Sequence, residues 1–391
     1  MLLNNRFLII LSLIIFFSCD SNKSEDGYKN GVVVSAKIEA SQAGISILKQ
    51  GGNAFDAMIA TDLALSVVYP NAGNLGGGGF MIYRLSDHST GSLDFREKSP
   101  SLSTKDMYLD EEGNEIKGLS INGSLAIGIP GTVAGLFEIY DKFGSLPLET
   151  LFSPAIELAE KGFILTKRQA NSLNFSKHQI NSLNDSLSLF NKHFKDGDLF
   201  VNKSLSNSLK LILKNGRDEF YKGSISKEII KYVNKRNGIL KEEDFQNYKA
   251  VWRKPITFKY NDLNIISMGP PSSGGIVLGQ IFKMIEPFDV SQFNHNSTEY
   301  IQLLVEAERR AFADRSKYLG DPDFNYIPVN ELLSRNYLSS RMNNFSFENS
   351  TKSESISPGG IDFKESEETT HYSIVDRFGN AVSVTTTLNG S

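Results

Sequence analysis

Cysteine is all but missing from this chain. Cys19 is the one thiol in 391 residues, which excludes a disulfide framework and a cysteine nucleophile in the folded body. Histidine is sparse as well. His88, His178, His193, His295 and His371 are scattered, no spacing among them matches a metal site, and nothing else in the sequence requires a cofactor. Neither sign of charge is in excess. A net charge of −4 argues against a nucleic-acid partner and against a polybasic membrane surface. Internal repeats are absent. What remains is ordinary globular material, 40% hydrophobic and 22% charged, enough for a sizeable core.

The long apolar run of the chain lies at its start. Arg6 precedes Phe7-Leu8-Ile9-Ile10-Leu11-Ser12-Leu13-Ile14-Ile15-Phe16-Phe17, which is uncharged. That run is shorter than the ~20 residues of a membrane-spanning helix and has the form of a secretory signal. Ser18-Cys19 ends it, in the manner of a bacterial lipobox, although Phe16 stands where leucine is usual. The expectation is a lipoprotein-type signal over residues 1–19 and a polar tether over 20–30. The protein is then exported, periplasmic or on the outer surface of a bacterium, and meets the membrane only through a lipid on Cys19.

Further along, Val32-Val33-Val34 reads as a strand and residues 40–49 as a helix stopped by Gly51-Gly52. Asn53 caps a second helix over 54–68, with Asp56 in its first turn and Pro70 beyond its end. Asn74-Leu75-Gly76-Gly77-Gly78-Gly79-Phe80 then lies between a helix and strands over 80–85 and 92–96. A phosphate loop has the opposite order and a closing lysine. Four glycines in a row point instead to close approach of another backbone or to positive φ. Arg96 sits at a strand end, either as an ion-pair partner of Asp94 or Glu97 or as a fork for a substrate carboxylate. A charged hydrogen bond of that kind contributes ~1.5–3 kcal/mol.

Gly128-Ile129-Pro130-Gly131-Thr132 opens a helix near Val133, and residues 148–161 form an amphipathic helix ended by Gly162. Residues 166–214 read as a polar helical layer, 241–248 as a helix, and 251–260 and 265–268 as strands. Pro270-Pro271-Ser272-Ser273-Gly274-Gly275 opens a helix at Ile276; its serines suit either a tight turn or an anion site. A long helix over 300–319 carries the stripe Tyr300, Leu304, Ala307, Ala311 and Tyr318, with Gly320 as its cap. Its charges Glu306, Glu308, Arg309, Arg310, Asp314 and Arg315 read as a solvated face.

Glu367-Glu368-Thr369-Thr370-His371-Tyr372-Ser373 joins a loop without apolar periodicity, residues 349–368, to two strands around Asp376-Arg377-Phe378-Gly379-Asn380. Threonine at a strand start is ordinary, because β-branched residues fit the pleat. It becomes chemistry if the chain is cut before Thr369, since the hydroxyl then lies beside a free α-amine that can act as its base.

Taken together these stretches resemble the γ-glutamyltranspeptidase (glutathione hydrolase) family. The resemblance is carried in order by Ile47-Leu48-Lys49-Gln50-Gly51-Gly52-Asn53-Ala54, the Gly76–Gly79 run, Asp94-Phe95-Arg96-Glu97 and Pro130-Gly131-Thr132-Val133-Ala134-Gly135. Asp218-Glu219-Phe220-Tyr221-Lys222-Gly223, Pro270-Pro271-Ser272-Ser273-Gly274-Gly275, Ala313-Asp314-Arg315, Leu319-Gly320-Asp321-Pro322 and Thr369-Thr370-His371-Tyr372-Ser373 complete it.

The resemblance implies an α+β fold, the αββα sandwich of N-terminal-nucleophile hydrolases. Residues 31–368 then form the large-subunit region and 369–391 the beginning of the small subunit. It implies self-cleavage between Glu368 and Thr369, with Thr369 as nucleophile and Thr387 supporting its hydroxyl. Arg96 would bind the substrate α-carboxylate and Asn389 the α-amino-acid end. The implied substrates are γ-glutamyl peptides such as glutathione, the acceptors are water, amino acids or dipeptides, and the cleaved small subunit stays as a partner.

Ala36-Lys37-Ile38 departs from the family, which often has a histidine-containing stretch there. The family's later oxyanion glycines, its aspartate for the substrate amine and its serine pair do not occur before Ser391. Losing one oxyanion donor costs about 10²–10³ in rate. The expectation is a chain truncated in the second part of the sandwich and nearly inactive as it stands. Two other functions fit the same residues: a glutaryl-type β-lactam acylase, which could also use Arg96, and a non-catalytic peptide-binding surface lipoprotein, which would not be cut.

Overall fold

The computed structural model describes residues 30–184, 189–358 and 369–388. The export segment, most of the tether, the loop 359–368 with Glu368, and Asn389 lie outside the described residues.

The first third of the chain forms strand β1 (Gly31–Val34), helices α1 (Ile38–Lys49) and α2 (Ala54–Val68), and strands β2 (Gly78–Arg84) and β3 (Thr90–Asp94). Gly51, just past α1, takes φ +95°, a conformation that side chains resist. Asn53 caps α2 by accepting from the N–H groups of Phe55 and Asp56, and the Asp56 carboxylate returns a bond to the Asn53 N–H. All fifteen residues of α2 are buried, as a helix apolar on nearly every side must be.

Helices α3 (Thr132–Phe143), α4 (Leu148–Lys161), α5 (Lys167–Leu183), α6 (Lys203–Asn215) and α7 (Ser224–Asn234) follow, with the short pair β4 (Phe163–Ile164) and β5 (Leu199–Phe200) among them. Then come β6 (Val251–Arg253), β7 (Ile256–Tyr260), β8 (Leu263–Ser267), α8 (Gly274–Ile285) and α9 (Thr298–Tyr318). The chain returns as β9 (Thr369–Asp376) and β10 (Ala381–Thr387).

The main sheet is antiparallel, in the order β1-β9-β10-β2-β3-β6. The last two strands in sequence therefore lie at its middle. Residues of α1 to α7 share one apolar core with the inner face of this sheet, through Met81, Leu93, Tyr372, Ile374, Val382 and Val384. On the outer face, Ile266 of β8 lines a cleft of about 310 Å³ with Ile82, Ser373, Val375 and Ser383. Helices α8 and α9 pack behind the β7–β8 hairpin in a second core that includes Tyr260. The order of layers is helices, sheet, hairpin, helices, which is the αββα sandwich the family resemblance implied.

Four expectations fail. Residues 251–260 are not one strand. Pro255 cannot donate to a ladder, so β6 joins β3 while β7 leaves to pair with β8. The polar stretch 166–214 is not wholly helical, because residues Leu199–Phe200 pair with Phe163–Ile164. The charges of α9 are not a solvated face. Glu306, Arg310 and Asp314 are each no more than 2% exposed. Arg310 binds Glu306 at 2.5 Å and also donates to the Arg341 carbonyl, Asn344 and Thr351; Asp314 pairs with Arg341 at 3.1 Å. The segment 335–351 wraps over that side of α9 and supplies the partners without which buried charge is costly. Gly320 is not the helix cap either; that position belongs to Leu319.

Candidate active site

Thr369 is the first residue of β9 and stands opposite Thr387, the last of β10. Thr387 in turn stands opposite Gly78, the first of β2. One row across the sheet thus holds Thr369, Thr387 and Gly78. The row continues into the segment after β3. A Cβ on Gly78 would lie 2.6 Å from the Phe95 carbonyl oxygen and 2.9 Å from the Arg96 Cα. With strands about 4.8 Å apart, the backbones of Thr369 and Arg96 are separated by roughly three strand spacings.

The glycine run serves close approach. None of Gly76 to Gly79 has positive φ among the described residues. Instead, side chains at Gly77, Gly78 and Gly79 would meet the Thr387 carbonyl, the Phe95 carbonyl and the Phe95 ring. The Gly77 carbonyl accepts from the N–H groups of Gly131 at 2.8 Å and Thr132 at 3.1 Å, which ties the run to the start of α3.

Arg96 lies just past β3 and is half-buried. Its N–H donates to Asp94 Oδ1 at 3.1 Å, and its carbonyl accepts from the Tyr248 hydroxyl at 2.7 Å. Its guanidinium carbon is 5.8 Å from the centre of the Phe80 ring, within cation–π range. Asp94 is not its ion-pair partner. Asp94 Oδ2 binds Arg253 Nε at 2.8 Å, and Arg253 grips Asp323 with two bonds of 3.0 Å. Tyr221 stacks on Tyr248, donates to the Pro130 carbonyl at 2.9 Å and accepts from the Ala134 N–H at 3.1 Å. Four stretches far apart in sequence therefore converge on Phe95 and Arg96. Beside them, burial pushes the Glu97 carboxyl above the usual carboxylate range.

Below the row, β9 is tied to α2. Asp376 Oδ2 accepts from the Ala54 N–H at 3.0 Å, and the Tyr372 hydroxyl donates to Asp62 Oδ2 at 2.7 Å. Above it, His371 bridges the two strands, with Nδ1 3.0 Å from Thr385 Oγ1 and Nε2 2.9 Å from Ser383 Oγ. Burial holds that imidazole below its usual pKa.

Of the four site residues read from the sequence, the fold brings Thr369, Thr387 and the backbone of Arg96 into one row; Asn389 lies outside the described residues. The serines of the Pro270–Gly275 stretch belong to the other half. There Ser273 Oγ accepts from Arg315 Nε at 3.0 Å. Sequence reasoning missed Asp62, Tyr248 and Arg253. Asp62 had one visible signal, an acid in the middle of a largely apolar helix.

The family model described as Gamma-glutamyltranspeptidase matches residues 40–391. The Glutathione hydrolase proenzyme of Escherichia coli K12 is 44% identical over 365 residues, covering 92% of this chain and 63% of that protein. The Glutathione hydrolase proenzyme of Pseudomonas sp. A14 is 41% identical, covering 97% of this chain and 66% of that one. This chain thus spans just under two thirds of the length of those two relatives. The crystal structure of Helicobacter pylori gamma-glutamyltranspeptidase superposes with a TM-score of 0.83 at 40% identity, covering 85% of this chain and 97% of that one. On its matched length, its sequence identity and its fold, the chain belongs to the γ-glutamyltranspeptidase family.

Proposed function

We propose that this chain belongs to the precursor of a γ-glutamyl hydrolase/transferase that cuts itself between Glu368 and Thr369. The observation that carries this reading is the row of Thr369, Thr387 and Gly78, with the Arg96 backbone packed against Gly78. In the precursor, the Thr369 hydroxyl adds to the Glu368 carbonyl carbon and the peptide C–N bond breaks. The products are an ester on Thr369 and a free α-amine, and water then releases the Glu368 carboxylate. The new amine titrates near ~7.7–8.0 and is a suitable base for a hydroxyl that is otherwise a poor nucleophile.

In the mature enzyme, Thr369 Oγ attacks the γ-carbonyl of a γ-glutamyl amide and gives its proton to the amine. The nitrogen of the leaving fragment takes that proton and departs as an amine, and a γ-glutamyl ester remains on Thr369. Water regenerates the enzyme; an amino acid or dipeptide instead takes the γ-glutamyl group. Arg96 holds the substrate α-carboxylate, Asn389 contacts its α-amino-acid end, and Thr387 supports the nucleophilic hydroxyl. Export with a lipid on Cys19 places this chemistry among extracellular peptides. No described helix is long and apolar enough to cross a membrane.

The test is expression from the complete gene, a denaturing gel, and N-terminal sequencing of the smaller fragment. A fragment beginning at Thr369 is expected, together with γ-glutamyl release from glutathione. Added glycylglycine separates transfer from hydrolysis. An uncut chain, or one cut elsewhere, sinks the mechanism.

A further inference from the structure

Helix α2 carries two aspartates that are completely buried, Asp56 and Asp62. Both oxygens of Asp56 are engaged, by the Asn53 N–H at 3.0 Å, the Ser145 N–H at 2.9 Å and the Ser145 hydroxyl. Asp62 differs. One oxygen accepts from Tyr372, while Oδ1 has no hydrogen-bond partner among the described residues. A carboxylate in that position loses its hydration and recovers only one bond. Burial accordingly pushes the Asp62 carboxyl up to about 6, and the Tyr372 bond only partly opposes the shift.

The surroundings of Asp62 offer no compensating charge. The buried residues of α1, α3 and α4, which pack on α2, are uncharged. So are the buried residues of β10. From β9 the titratable neighbour is Tyr372, whose phenol stays protonated through burial and the nearby Asp62. Asp376 is occupied at Ala54, eight residues or about 12 Å back along α2. Asp56 lies about 9 Å back along the same helix.

Position gives this costly group its meaning. Tyr372 is three residues beyond Thr369, and its bond to Asp62 is the side-chain tie between β9 and α2 nearest to that end of the strand among those described. A group that lowers stability in the working pH range, placed under a reacting strand, has the character of a functional device. We propose that Asp62 is a positioning residue for the nucleophile strand. Its carboxylate, acting through the Tyr372 hydroxyl, holds the start of β9 so that Thr369 stands beside Thr387, and protonation relaxes that hold. The proposal rests on the reading of Thr369 as the autoprocessing nucleophile.

The sign of the pH effect is fixed. The folded carboxyl titrates higher than an ordinary aspartate near 3.8, so the unfolded chain ionises first as pH rises. Stability from this group is therefore lost between about pH 4 and 6, by roughly a hundredfold in the folding equilibrium. The strand, by contrast, is held most firmly above that window.

The decisive variant is Asp62→Asn, which keeps the shape and an acceptor for Tyr372 but cannot ionise. Urea unfolding of the full-length protein at pH 4 and pH 7.5 should show the variant gaining on wild type by about a hundredfold between the two. Cleavage at Glu368–Thr369 and γ-glutamyl release at pH 8 should slow about tenfold, the difference between a charged and a neutral hydrogen bond, with KM unchanged. The wild-type rate of cleavage at Glu368–Thr369, which precedes the new α-amine, should fall on the acid side near pH 6, and the variant should lack that limb. Tyr372→Phe, which keeps the carboxyl but removes the hydroxyl through which it acts, should abolish that limb and move the pH-dependent loss of stability to higher pH. Asp62→Asn with wild-type rates across the range, or with no pH-dependent gain in stability, overturns the inference. An uncut wild type is a different failure: it defeats the proposed function, and this proposal falls with it.

Discussion

The hairpin of β9 and β10 has two faces, built by the same strands from alternate residues. The inner face presents Thr370, Tyr372, Ile374 and Asp376 from β9 and Val382, Val384 and Thr386 from β10, all buried. Its polar groups are tied down, with Asp376 on the Ala54 N–H, Tyr372 on Asp62 and Thr386 on the Gly78 carbonyl. The outer face presents His371, Ser373 and Val375 from β9 and Ala381, Ser383, Thr385 and Thr387 from β10. There the hydroxyls and the imidazole bond to one another across the strands. The period-2 alternation of a strand is what permits this division. One face anchors, and the other is free to carry chemistry. Two strands late in sequence can thus lie inside the sheet and still carry polar side chains on its outer face.

Substitutions on the two faces should fail in different ways. The largest effect is expected at Thr369, the proposed nucleophile at the start of β9. Thr369→Ala should leave the chain uncut on a denaturing gel and abolish γ-glutamyl release while leaving the unfolding midpoint nearly unchanged; a cut alanine variant would erase the distinction between the faces. Next comes the inner anchor. Asp376→Ala strands the N–H groups of Ala54, Phe378 and Asn380, which its carboxylate now accepts. It should cost roughly 3 kcal/mol in urea unfolding, and cleavage should weaken only in proportion to the folded fraction.

Gly78→Ala tests the row that joins the faces to Arg96. The added Cβ would sit 2.6 Å from the Phe95 carbonyl, so the end of β2 must shift. The expected result is a loss of about 1–3 kcal/mol and a raised KM for the γ-glutamyl donor, larger than the change in kcat. The smallest effect belongs to His371→Gln on the outer face. Because burial holds His371 below its usual pKa, wild-type stability falls as pH drops below about 6.5. The glutamine variant should match wild type within about 0.5 kcal/mol at pH 8 and gain on it as the solution is acidified, read by thermal unfolding.

Much of this could be read from residues alone. Asn53 and Asp56 marked the start of α2 because a capping box is chemistry between neighbours. Asp376 to Asn380 marked the hairpin turn, where the Asp376 carboxylate accepts from the Phe378 and Asn380 N–H groups. The glycine run left two explanations open, and packing selected close approach over positive φ. The charges of α9 misled because the sequence of a helix does not show what covers it. Arg341, Asn344 and Thr351 are supplied by a segment beyond its end. Arg96 was legible as a candidate fork, but its support by Tyr248 across 152 positions was not.

The sequence by itself determined the local events: the caps, the turns, the strand and helix periods, and a threonine pair between an acidic loop and a hairpin. These depend on residues within a few positions of one another. Tertiary structure alone decided which of them meet. Antiparallel pairing put Thr369 opposite Thr387 and Thr387 opposite Gly78, and it packed Phe95 and Arg96 against that glycine. It also set Asp62 under Tyr372, 310 positions away. The burial that lifts that carboxyl is a property of the assembled core, which no short stretch of the chain contains.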